Sequence, residues 1–214
     1  MSLPEIVSRE QWRAAREELR CREESARRER EALGAERRRL PMVEVDPEYL
    51  FEGGDGKATL LDLFEGRSQL VVHHFMFAPE WVTGCPCCAA FLDQVGHLAH
   101  LRARDTSFAA VSRAPFTRIL PFKARMGWAV PWYSSAPGDF NDDFEATVRY
   151  GGKPVERPGL SCFLRDRDRV FHTYSVYSAD LDELGTTAAL LDLTALGRRP
   201  AGSEALRLHD EYDF

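Results

Sequence analysis

The chain has 214 residues, 44% hydrophobic and 29% charged, enough apolar material for a sizeable core and unlike a disordered composition. Its formal net charge of -6 argues against a general attraction to nucleic-acid phosphates or anionic membrane surfaces. Met1 to Gln11 breaks any apolar stretch with charges and a proline, and the uncharged, largely apolar run Leu70 to Pro79 is far shorter than the roughly 20 apolar residues of a spanning helix. The expectation is a soluble cytoplasmic protein with one core and appendages, with neither nucleic acid nor membrane as partner. Five cysteines in such a compartment do not read as a disulfide framework, and three of them, Cys85, Cys87 and Cys88, fall within four residues.

Ser8-Arg9-Glu10-Gln11 has a capping-box pattern and opens an Arg, Glu and Ala-rich stretch without Gly or Pro up to Leu33, which predicts a long helix. Trp12, Leu19, Ala26 and Leu33 recur every seven positions, but Arg22 and Glu29 occupy the companion positions, so the coiled-coil seam is half written. The helix is read as lying across the domain surface, with an arm that forms a homodimer as the alternative. Tyr49 to Leu60 carries Asp55-Gly56 between apolar runs and predicts a β-hairpin; Leu61 to Glu65 reads as a short helical piece ending at Gly66.

Gln69 to Phe77 is nearly continuously apolar, the pattern of a central strand covered on both faces. Phe91, Leu92, Val95, Leu98 and Leu101 then recur at helical spacing and predict one amphipathic helix from Cys88 to about Ala103. A strand over Ser107 to Ser112, a helix over Phe116 to Met126 behind Pro115, and an extended piece at Val130 to Tyr133 follow. This alternation predicts βαβ units and a largely parallel sheet. Leu160 to Leu164 and Val170 to Tyr177 flank a polar turn and predict an antiparallel hairpin at the sheet edge, before a last helix over about Thr186 to Leu196. The resulting division is an arm over 1–40, a domain over 41–197 and a charged tail over 198–214, which the sequence does not place.

Cys85 and Cys88 form a Cys-x-x-Cys pair at a helix start, where both sulfurs fall in the first turn, close enough to bridge. The helix dipole and free N–H groups there lower a cysteine pKa from about 8.5 into a range of roughly 3.5 to 7.5, giving the thiolate that thiol-disulfide exchange requires. Metal binding by Cys85, Cys87, Cys88 and His73 or His74 is the rival reading, but a second Cys-x-x-Cys is absent, so neither metal nor cofactor is expected. His73 and His74 are consecutive in a strand, so at most one faces the cysteine loop. Arg113 ends a strand at the carboxyl edge of the sheet, where it offers a positive charge to a thiolate or substrate. Trp81 closes the site apolarly or packs in the core.

The segments Asp55-Gly56-Lys57, Leu60 to Phe64, Leu70-Val71-Val72 and Cys85-Pro86-Cys87-Cys88 resemble the opening of the peroxiredoxin and thioredoxin-like superfamily. Trp81 to Cys88, Gly96-His97-Leu98, Arg125-Met126-Gly127-Trp128, Phe171-His172-Thr173-Tyr174 and His209-Asp210-Glu211-Tyr212 resemble, more narrowly, the bacterial thioredoxin-like domain-of-unknown-function family 899. The resemblance implies an α/β, thioredoxin-like three-layer fold with a central mixed β-sheet, an N-terminal β-hairpin extension and a long N-terminal helix. It implies a cis-proline at Pro158 facing the cysteines. Two positions depart from the wider pattern. Trp81 stands four residues before Cys85, where thioredoxins place Trp next to the first cysteine, and the peroxiredoxin pattern Pro-x-x-x-Thr-x-x-Cys starts at Pro79 and Thr83 but meets Pro86 instead of Cys. The sequence-based reading is a thiol-disulfide oxidoreductase acting on an oxidised protein or small-molecule disulfide, with Cys85 attacking, Cys88 resolving, and Cys87, Trp81, Arg113 and Pro158 accessory. A thiol peroxidase or a non-enzymatic redox-sensing module is the alternative.

Overall fold

The computed structural model describes residues 4–178, 181, 184–198 and 206–212. It divides into two units, Met1–Pro41 and Met42–Phe214.

The first unit is helix α1 (Arg9–Arg37), and its start follows the capping box: Ser8 Oγ accepts the Gln11 N–H at 3.2 Å and Gln11 Oε1 accepts the Ser8 N–H at 3.0 Å. Its exposed charges pair along the helix at three- and four-residue spacing, as in Arg20 to Glu17 at 2.7 Å and Arg28 to Glu24 at 3.1 Å. Trp12, Leu19 and Leu33, the heptad positions, are exposed.

The second unit contains β1 (Val43–Val45), β2 (Leu50–Gly53), β3 (Gly56–Thr59), α2 (Leu60–Leu63), β4 (Gln69–His74), α3 (Pro86–Asp93), α4 (Ala99–Arg102), β5 (Thr106–Ser112) and α5 (Phe116–Arg125). These are followed by β6 (Trp132–Ser134), α6 (Phe140–Asp143), β7 (Thr147–Tyr150), β8 (Lys153–Glu156), β9 (Gly159–Asp166), β10 (Arg169–Tyr177) and α7 (Thr186–Asp192). Eight strands form one sheet in the order β1-β10-β9-β4-β5-β6-β2-β3, and β7 and β8 pair separately. This is the mixed α/β thioredoxin-like architecture with its hairpin extension and long N-terminal helix. Among the described residues no helix is long and apolar enough to cross a membrane.

The sheet is mixed, because only β4 with β5 and β5 with β6 run parallel. The hairpin of β9 and β10 is not at the edge: β9 lies between β10 and β4, and β1 covers β10. Nor is there one helix from Cys88 to Ala103. Gly96, at φ +68°, takes a left-handed conformation that splits the predicted helix into α3 and α4 even though its apolar spacing continues. The β7–β8 pair and β1 extend the predicted set.

β4 explains the position of the core. Leu70 and Val72 face one core with Phe51, Phe64, Phe140 and Phe163, whereas Val71 and Phe75 face the other with Cys88, Leu92, Ile119 and Phe122. A strand with apolar contacts on both sides needs the nearly unbroken apolar run seen in its sequence. At its exit the Ser112 hydroxyl donates to the Phe75 carbonyl at 2.7 Å and accepts from Trp132 Nε1 at 3.0 Å, so β4, β5 and β6 are pinned together beside the cysteine loop. The segment 206–212 also docks. Leu208 is buried in the α3–α5 core, Arg125 Nε binds Asp210 at 2.7 Å, and His209 Nδ1 meets Asp93 at 2.8 Å.

Two substitutions test this packing. Gly84 lies against Phe75 and Phe122, and a Cβ there would approach Phe75 Cε1 to 2.5 Å and Phe122 Cε1 to 2.7 Å. Gly84→Ala is expected to cost about 1–3 kcal/mol, by urea unfolding, as an overpacked core position. Arg113 binds Glu156, with Nε at 2.7 Å from Oε1, and so ties the end of β5 to β8; the Glu156 side chain is only 3% exposed. Arg113→Ala would strand that carboxylate and is expected to cost about 3 kcal/mol, whereas Arg113→Met with Glu156→Leu should recover most of the loss.

Candidate active site

α3 begins with Cys85 at the N-cap (φ -65°, ψ 130°) and Pro86 at the first helical position. Proline fits there because that N–H has no helical partner and its φ suits a helix start. The first available N–H groups therefore belong to Cys87 and Cys88. Cys85 is half-buried, Cys87 exposed and Cys88 buried, and all three are free thiols.

The backbone of Met76 holds both ends of the pair. Its carbonyl accepts the Cys85 N–H at 3.0 Å, and its N–H donates to Cys88 Sγ at 3.4 Å. The two sulfurs have opposite acidities. The Cys88 thiol, donating toward Cys85, is the largest influence lowering the Cys85 pKa to about 6; burial opposes it and the N–H groups of Cys88 and Cys87 add to it. Those N–H groups fall outside hydrogen-bond geometry for the Cys85 side chain, so they act on the thiolate as nearby dipoles. Cys88 is pushed well above the ordinary thiol range by the same bond and by burial.

A shallow cavity of about 490 Å³ over Cys85 is lined by Trp81, Val82, Thr83, Gly84 and Pro86. Trp81 packs against the main core, and its carbonyl accepts from Arg118 Nη1 at 2.8 Å, which fixes the loop before the cysteines. Met76, Gly84 and Arg118 were not singled out from the sequence. Two of them act through backbone geometry; a glycine directly before a cysteine at a helix start was the available signal.

The other expected residues fall as follows. Pro158 precedes Gly159, the register partner of His74, and so lies at the carboxyl end of β4, from which the cysteine loop departs. Its peptide bond with Arg157 is trans, not the cis bond expected. The Arg157 N–H bonds to the Ala146 carbonyl at 2.8 Å and the Pro158 carbonyl accepts from Ser178 at 2.9 Å, an extended entry that leads directly into β9. Arg113, expected as a charge for the thiolate, has its guanidinium engaged by Glu156. Both histidines of β4 are buried, on opposite faces. His73 packs against Phe91 of α3 at 4.8 Å between ring centroids, and His74 Nε2 bonds Ser161 Oγ at 2.7 Å on the other face.

Comparison with solved structures finds this fold in peroxiredoxins. Peroxidoxin BcpB from Mycobacterium tuberculosis is 19% identical at a TM-score of 0.50, over 65% of this chain and 86% of that one. The bacterioferritin comigratory protein of Xanthomonas campestris, a protein with alkyl peroxide reduction activity, is 14% identical at a TM-score of 0.51, over 68% and 94%. Peroxiredoxin Q of the same organism is 15% identical at a TM-score of 0.52, over 73% and 98%. At these identities the likeness is one of fold. No curated protein matches the sequence. A family model described as a bacterial protein of unknown function (DUF899) matches residues 1–212, nearly the entire sequence, and the chain belongs to that family.

Proposed function

We propose that the protein is a thiol-disulfide oxidoreductase in which Cys85 attacks and Cys88 resolves. The supporting observation is the opposed acidity of two sulfurs in one helical turn: Cys85 is held near 6 by the Cys88 thiol, and Cys88 is kept protonated by burial and by its bond to Cys85. At neutral pH one sulfur is then a nucleophile and the other a stored thiol.

The Cys85 thiolate attacks a substrate disulfide, forming a mixed disulfide and releasing one substrate thiolate. That thiolate takes the Cys88 proton. The Met76 N–H already points at Cys88 Sγ and favours its anion. The Cys88 thiolate then attacks Cys85 Sγ, closing the intramolecular disulfide and releasing the second substrate thiolate, which is protonated from water. A dithiol or glutathione-class reductant restores the pair. Trp81 borders the approach to Cys85, and Pro158, at the carboxyl end of β4, shapes it from the sheet. Arg113 serves as the tether to Glu156. The second reading is a thiol peroxidase, in which a peroxide oxidises Cys85 to the sulfenic acid and Cys88 condenses with it. The low Cys85 pKa serves that chemistry too.

Turnover separates the two readings. With dithiothreitol as electron source, the protein is expected to reduce insulin or oxidised glutathione; Cys85→Ser should abolish this and Cys87→Ser should retain most of it. Faster consumption of an alkyl hydroperoxide than of either disulfide would transfer the assignment to the peroxidase, and full activity in Cys85→Ser would remove the nucleophile.

The pH dependence has a defined sign. A thiol lowered to about 6 is protonated below that value and anionic above it, so iodoacetamide labelling of Cys85, followed by mass mapping, is expected to rise through pH 6 and level off above about pH 7. Cys88→Ala removes the largest lowering influence. The midpoint should move up toward the ordinary value of about 8.5, and labelling at pH 7 should fall roughly tenfold.

A further inference from the structure

Helix α5 presents two different surfaces. Thr117, Arg118 and Pro121 line a groove with Val82 and Thr83, which also line the cavity over Cys85. Phe116, Leu120 and Lys123 face the other way, across a cleft of about 630 Å³ from the β2–β3 hairpin. That volume lies within the roughly 300–1,000 Å³ of small-molecule sites. Pro131, Trp132 and Tyr133 form its floor, and the turn Gly53-Gly54-Asp55-Gly56 with Lys57 forms the opposite rim.

Three carboxylates and two lysines, Lys57 and Lys123, line this cleft. Asp55, Asp62 and Glu65 act together on the Tyr133 phenol, whose pKa is raised by burial and then by these carboxylates. Two of the three are already engaged: Asp62 accepts from the Thr59 N–H at 2.7 Å, and Glu65 accepts from Arg67 at 2.6 Å and from Arg102 at 3.4 Å. Lys123 lines the same cleft from α5. It is half-buried, burial alone lowers its pKa, and among the described residues no ion pair or hydrogen bond reaches its ammonium group. One helical turn away on the same face, Leu120 is 52% exposed. An ammonium withdrawn from water without a counter-charge is unfavourable, and an anion that enters beside it gains a charge-assisted bond in a partly desolvated setting.

We propose that the cleft between α5 and the β2–β3 hairpin binds a small organic anion with an aromatic body, its acidic group on Lys123 and its ring against Leu120, Phe116 and Pro131. The site lies across α5 from the cysteines and does not depend on their chemistry. A bare inorganic anion would leave the apolar wall unused, and a neutral aromatic would leave Lys123 unpaired.

The test uses the intact reduced protein with two probes, the aromatic sulfonate 1-anilinonaphthalene-8-sulfonate and naphthalene-1-carboxylate, and the neutral 1-naphthalenemethanol as control. The sulfonate should bind saturably with one equivalent and be displaced by the carboxylate, while the alcohol displaces it at least tenfold less effectively. Lys123→Met should weaken sulfonate binding at least tenfold while raising the thermal midpoint of the ligand-free protein, because an uncompensated charge has been removed; Lys123→Arg should restore binding. Leu120→Asp, which places a carboxylate one turn from Lys123, gives an independent reading and should abolish binding by supplying an internal counter-ion. Unchanged affinity in Lys123→Met or in Leu120→Asp, equal binding of the alcohol, or no saturable binding by the unaltered protein would overturn the proposal. Cys85 labelling rates should be the same in all these variants, so loss of this site is distinguishable from failure of the oxidoreductase reading.

Discussion

The peptide group of Met76 fixes the geometry on which the cysteine chemistry depends. Its carbonyl holds the Cys85 N–H and its N–H holds the Cys88 sulfur, so the end of the central strand and the first turn of α3 are joined through backbone atoms. The nine residues between Phe75 and Cys85 must then leave the sheet and return to it within a fixed distance. Gly84, lodged between the rings of Phe75 and Phe122, allows that return, and the Arg118 bond to the Trp81 carbonyl keeps the loop closed. Cys85 reaches the surface while Cys88 stays in the core; the interaction between the two sulfurs is the larger cause of their opposed acidities, and deeper burial adds to it at Cys88.

Features set by local chemistry were legible in the sequence. Ser8 with Gln11 gave the start of α1, Asp55-Gly56 gave the hairpin, and Pro86 between two cysteines gave a helix N-terminus with thiols on its first turn. Features set by distant partners were not. The apolar spacing from Phe91 to Leu101 continues through Gly96, so the break between α3 and α4 is invisible to periodicity. β9 is interior because β4 and β10 pair on either side of it, and neither pairing leaves a local mark. Pro154 conceals β8, since proline argues against a strand unless its missing N–H faces away from the ladder. The partner of Arg113 lies 43 residues along the chain, so a residue that looked free to serve a thiolate proves to be committed to Glu156. Leu206 and Leu208 both stand in a charged segment, and only the completed core shows that Leu208 is the one buried.

The face of the sheet away from α3 carries a polar chain of its own. His74 Nε2 bonds Ser161 Oγ, Ser161 bonds Ser175 Oγ, and Ser175 bonds His172 Nε2, each at 2.7 Å. The register explains how His172 joins it. Ser161 and Ser175 are direct partners, and the irregularity between His172 and Tyr174 inserts Thr173, which returns His172 to the side of the sheet on which Ser175 lies. The result is a hydrogen-bonded line across β4, β9 and β10, enclosed by Phe140, Phe144 and Phe163.

The buried histidines of β4 and the cysteine site favour the same range of pH. Burial holds His73 and His74 down to about 3, so both stay neutral in the fold, whereas an unfolded imidazole takes up a proton near 6.5. A histidine lowered by folding contributes stability that is complete above its unfolded pKa and is lost progressively as the pH falls below it toward the folded value. The sheet therefore weakens below about pH 6.5, in the region where Cys85, with a pKa of about 6, begins to lose its thiolate. Above that region the two histidines cost the fold nothing in protonation and Cys85 is a thiolate. One strand, β4, links the two effects: it buries His73 and His74 at its end, and two residues later its continuation through Met76 holds the cysteine pair.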